Sequence, residues 1–179
     1  MRNPARLQST PVNASASHRR ARRAEPGFTL LELMMVLVVV GILATIALPS
    51  YIERMERDQV AQALSLADVA KPAIQAAWLL GEPLPADNAA AHLPAAEKIV
   101  NERVRSVTVS NGAIHITFGN QASKALQGQV LTVRPAGVPD ARVVPLVWLC
   151  GRAGPPAPMQ AQGEDRTSVP AGLLPPRCR

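Results

Sequence analysis

One carboxylate, Glu32, stands at the head of an otherwise uncharged apolar run from Leu33 to Ile52. A charged side chain at bilayer depth costs roughly 2.5–3.5 kcal/mol, so residues of this kind are usually functional. Anchoring a chain requires no such group, and Glu32 therefore points to a helix built to meet a partner. Cys150 and Cys178 form a second reactive pair, both near the C-terminus. On the outward side of a membrane they meet an oxidising compartment, where a disulfide is expected. Its closure would constrain the unfolded chain by roughly 3–4 kcal/mol. Two unrelated free thiols are the alternative.

The other chemically versatile residues form no catalytic arrangement. His18 lies in the N-terminal stretch, and His92 and His115 have no HExxH, paired-cysteine or serine-elbow context. His115 alternates with Ile114 and Ile116, which predicts a place on a strand's outer face. There is no Gly-rich phosphate loop and no carboxylate pair placed for acid–base work, so neither an enzyme nor a cofactor is expected. Asn13-Ala14-Ser15 matches a glycosylation triplet but falls on the cytoplasmic side of the expected membrane span.

The elements that must position Glu32 begin with charge. Of the net charge of +6, residues 1–27 carry +5, from six arginines against Glu25, which leaves the remainder near +1. The basicity thus belongs to the leading segment, and it gives no support to a nucleic-acid partner. Trp78, Trp148, Tyr51, Phe28 and Phe118 are too scattered to form a base-stacking platform. About 20 apolar residues suffice to cross a bilayer as a helix. The arginine excess before them puts the N-terminus in the cytoplasm. A plain signal anchor is one reading, and a secretory signal cut near Ala47 is another. The second fits poorly, because the basic region is long and the apolar run outlasts a usual signal core.

Past Pro49 the pattern continues. Val60, Leu64, Ala67, Ala70 and Ile74 recur at three- and four-residue steps, which marks one buried helical face. This predicts one long helix from Thr29 to about Leu80, kinked at Pro49 and closed by Gly81. Glu82 to Pro94 reads as a loop. Val104 to Phe118 alternates about Asn111-Gly112, a strong hairpin signal. Val130–Val133 and Arg142–Leu149 are two further strand candidates, with Pro145 arguing for an edge or a bulge. The segment between the cysteines is rich in Gly and Pro, so a bridge would tie it to the sheet.

Gly27, Phe28, Thr29, Leu30, Leu31 and Glu32, followed by an apolar helix with Gly41 and Pro49, resemble the prepilin signature of type IV pilins. Type II secretion pseudopilins share that signature. Trp148-Leu149-Cys150 and Leu174 to Cys178 are similar to the cysteine loop that ends type IVa pilins. The resemblance implies an α+β fold: a long kinked N-terminal helix on a four-stranded antiparallel sheet, with a disulfide-closed loop joining Cys150 to Cys178. It also implies three regions: a cytoplasmic leader, 1–27, that is removed; a transmembrane and assembly half-helix, 28–52; and a globular domain, 53–179.

In the family, a membrane peptidase and methyltransferase cuts after the residue matching Gly27 and methylates the amine of the residue matching Phe28. Glu32 then pairs with that amine on a neighbouring subunit, and the stretch from Gly41 to Pro49 can lose helicity in the filament. The implied partners are further copies of the chain, the peptidase, an assembly platform in the inner membrane, and the membrane before assembly. The implied function is a structural subunit of an extracellular type IV pilus, of the adhesion and twitching-motility class. A minor pilin that primes or tips the filament and a pseudopilin are the alternatives. Two features depart from the family: the leader is long, and Glu25-Pro26 precede the cut where a basic residue often stands.

Overall fold

The computed structural model describes residues 27–179. The arginine-rich leader, with His18 and Asn13, lies outside the described residues. The described residues divide into two units at Gly41, the second running from Ile42 to Arg179.

Helix α1 spans Leu30–Ala67, and its helical assignment runs through Pro49. It does not reach Leu80. Residues 68–70 form a turn held by short-range bonds such as Ala70 N–H to the Ala67 carbonyl (3.0 Å), and a separate helix, α2, spans Lys71–Leu80. The single helix expected from periodicity is thus broken, and Pro72 is the cause. A proline ring clashes with the carbonyl four residues back, here that of Asp68, but costs nothing in a first turn, where it has no hydrogen bond to lose. The apolar face survives the break, since Val60, Ala63, Ala67, Ala70 and Ile74 are all buried. Gly81 ends α2 as expected, in the left-handed conformation at φ 76°, and the Glu82 N–H reaches back to the Ala77 carbonyl.

The sheet is antiparallel in the order β1-β2-β3-β4, with β1 at Val104–Ser110, β2 at Ala113–Phe118, β3 at Val130–Gly137 and β4 at Val147–Cys150. A two-residue fifth strand, β5 at Gln160–Ala161, pairs with the end of β3. The β1–β2 turn is made by Asn111 and Gly112, both at positive φ (47° and 80°), as the dipeptide predicts. The fourth strand is shorter than the 142–149 read from sequence. It starts after Pro145, which cannot donate to a ladder. Cross-strand neighbours Val107, Ile116 and Leu131, and Val109, Ile114 and Val133, share one face and join the buried face of the helices in a single core.

The outer edge of β1 is closed without another strand. The Asn88 side chain, from the loop after α2, accepts from the Val109 N–H through Oδ1 (2.6 Å) and donates through Nδ2 to the carbonyls of Val107 (3.0 Å) and Pro94 (3.1 Å). One buried amide group thus does what a neighbouring peptide would do for an unpaired edge.

Cys150 and Cys178 are bonded, with Cα atoms 4.5 Å apart. The enclosed segment packs more deeply than its composition suggests, burying Val169, Leu173 and Leu174 in the core. Part of it crosses the sheet face opposite the helices. Gly163 lies over Ala113, the Arg166 N–H donates to Thr132 Oγ1 (3.0 Å), and Ser168 exchanges bonds with Val130 on β3. His115, expected on an open outer face, is on that face but only 4 % exposed, because this crossing covers it.

Candidate assembly site

Residues 27–29 belong to no regular element, and α1 starts at Leu30. Thr29 caps it, its Oγ1 accepting from the Glu32 N–H at 3.2 Å. Thr29-Leu30-Leu31-Glu32 therefore has the Ser/Thr-x-x-Glu spacing of a capping box, and Glu32 also places negative charge in the first turn, where the helix dipole favours it. Sequence reading assigned Glu32 to intermolecular pairing alone and missed this local role, although the spacing displays it.

Gly27 is exposed, and a Cβ added there would meet nothing within 4 Å. Among the described residues nothing crowds the Gly27 side of the peptide that joins it to Phe28. Glu32 is exposed and has no ion-pair partner among the described residues. Along the same stretch, fourteen large apolar side chains from Phe28 to Ile46 stand 47–77 % exposed. A helix apolar all round belongs inside a core, a bilayer or an assembly. Gly41 also lies in open space, with nothing within 4 Å of an added Cβ, and Pro49 is carried within α1. Gly27, Phe28 and Glu32 fall within five residues of one another at the head of the helix, whereas the disulfide belongs to the globular unit.

A pilin family, described as a bacterial filament family, matches residues 57–179, and a prokaryotic N-terminal methylation motif matches residues 22–48. The chain belongs to the type IV pilin family. It is 34 % identical to a type IV major pilin protein of Neisseria gonorrhoeae over 164 residues, which cover 87 % of each chain. It is 39 % identical over 116 residues to the fimbrial protein EcpC of Eikenella corrodens, covering 63 % of this chain and 76 % of that one. Fimbrial protein Q of Moraxella bovis is 30 % identical over 163 residues, covering 83 % and 97 % respectively. The long helix, antiparallel sheet and terminal disulfide are those of a type IV pilin.

Proposed function

We propose that this pilin is the main structural subunit of an extracellular filament and polymerises through the apolar part of α1. The observation that carries this reading is the bare apolar stretch with its capped start and lone Glu32. Burying an apolar side chain of this size contributes on the order of 1.5–3 kcal/mol, so covering most of the fourteen between neighbours is worth on the order of 20 kcal/mol. That outweighs the roughly 2.5–3.5 kcal/mol cost of taking Glu32 into an apolar environment. Cohesion therefore comes from area, and Glu32 fixes which axial position is occupied, since only one register brings a cation to it.

The cation is the amine of Phe28, released when a peptidase acting at the cytoplasmic face cuts after Gly27, and methylated thereafter. Gly27, exposed and without a side chain, suits such an enzyme. Before assembly, α1 holds the subunit in the inner membrane with residues 53–179 outside and the leader in the cytoplasm. Residues 28–52 are the membrane and assembly half. The chain performs no chemistry of its own. Names borne by its relatives, major pilin and fimbrial protein, favour the filament body over a minor pilin or a pseudopilin. Mass spectrometry of the mature N-terminus tests the processing step. A methylated Phe28 is expected, and a start at Leu48 would replace this reading with secretory cleavage.

A further inference from the structure

His115 is the one described histidine that is buried, and its surroundings are unusual for a residue that can take a charge near neutral pH. Nδ1 lies 3.0 Å from Thr132 Oγ1, while Nε2 is buried with no hydrogen-bond partner among the described residues. Thr132 Oγ1 is shared, because it also accepts the Arg166 N–H of the crossing segment. One of the bonds that hold the segment over the imidazole therefore ends on the same hydroxyl that the imidazole contacts, beside those of Thr167 to the Thr132 N–H and of Ser168 to Val130.

The charges around it are already committed. Glu164 pairs with Arg166 (2.8 Å), and Asp165 faces Arg134 of β3 at 4.0 Å while accepting the Thr167 N–H (2.9 Å). From β1 the cross-strand neighbour is Thr108, which is uncharged. Arg134 also donates to the carbonyls of Gly151 and Ala153. Two carboxylates thus balance two arginines, and neither is left for an imidazolium.

We infer that His115 and Thr132 form a pH-operated latch on the segment from Gly163 to Ser168: with a neutral imidazole the segment lies closed, and on protonation it lifts from the sheet. A charged ring in the closed state would be an uncompensated buried cation, and that penalty disappears once water reaches it. Burial first, and then the Arg166 guanidinium, hold the closed-state imidazole below its ordinary value of 6.5, while Glu164 and Asp165 oppose them less strongly. The open state is solvated and takes the proton more readily. Closure is therefore fully stabilised above pH 6.5 and weakens as pH falls through and below it. The Cys150–Cys178 bridge and the buried Val169, Leu173 and Leu174 beyond the segment keep the opening local. The outcome is a sheet face whose cover responds to acid.

Hydrogen exchange followed by mass spectrometry on the full chain in detergent tests this between pH 7.5 and 5, with rates corrected for the intrinsic effect of pH. Opening of residues 164–168 should grow below pH 6.5, by at most about tenfold per pH unit for one proton, while β1 and β2 stay protected. His115→Asn keeps a neutral polar atom near the Nδ1 position and should make that opening independent of pH. Equal slopes in both proteins, or no slope in the native one, would overturn the latch. Imidazole C2–H exchange in the unsubstituted chain gives a readout that needs no variant: a His115 midpoint at or above 6.5 would also overturn it.

Discussion

Replacing Asn88 tests whether a single side chain closes the edge of the sheet. Asn88→Ala removes three hydrogen bonds, to the Val109 N–H and to the carbonyls of Val107 and Pro94. Each is worth about 1 kcal/mol net, and each buried group left unpaired costs a further 1–3 kcal/mol unless water reaches it. Val107 and Val109 are fully buried residues, so water replaces the amide poorly, and a loss of at least about 3 kcal/mol is expected. That is a large part of the 5–15 kcal/mol typical of a domain.

Asn88→Asp sharpens the test. The carboxylate can still accept from Val109, but it sets negative charge against two carbonyls. Its folded pKa should rise above the ordinary 3.9, so its stability is greatest in acid and falls as pH rises through the folded value. Urea unfolding of the full chain in detergent, followed by the fluorescence of Trp78 and Trp148, reads both variants. A loss under about 0.5 kcal/mol for the alanine form, the range of an ordinary surface substitution, would refute the edge-closing role. So would an aspartate form as stable as the native chain at pH 7.

Two other outcomes follow from the same geometry. Cys150→Ser with Cys178→Ser frees a loop with a sequence separation of 28, for which chain entropy gives a loss of about 3.6 kcal/mol; an unchanged unfolding midpoint would show that the segment holds to the sheet without the bridge. Glu32→Ala leaves the Thr29 bond to the residue 32 N–H intact, so membrane insertion should be normal while filament yield falls by about tenfold or more, the effect of losing some 1.4 kcal/mol per contact; normal yield would remove the register role.

What was legible in the sequence was mostly local. Asn111-Gly112 displayed its hairpin because the two positive φ angles are a property of those residues. The uncharged run after Glu32 displayed a helix without a partner in its own chain, and the cysteines displayed their bridge through compartment and family likeness. The apolar face from Val60 to Ile74 displayed one buried stripe but not the break that Pro72 makes in the helix; the face continues although the helix does not. The burial of His115 and the role of Asn88 were not legible. Both depend on segments that return from far along the chain, Gly163 to Arg166 over β2 and the loop after α2 onto β1. Periodicity within a strand reports which face a residue occupies, and it carries no information about what later covers that face.

The central claim is that this pilin forms the body of the filament. Electron microscopy of surface filaments in cells lacking the chain, with and without its restoration, tests this most directly. No filaments are expected without the chain, and normal ones when it is restored. Filaments persisting in normal number and length without it would rule out its role as their main subunit.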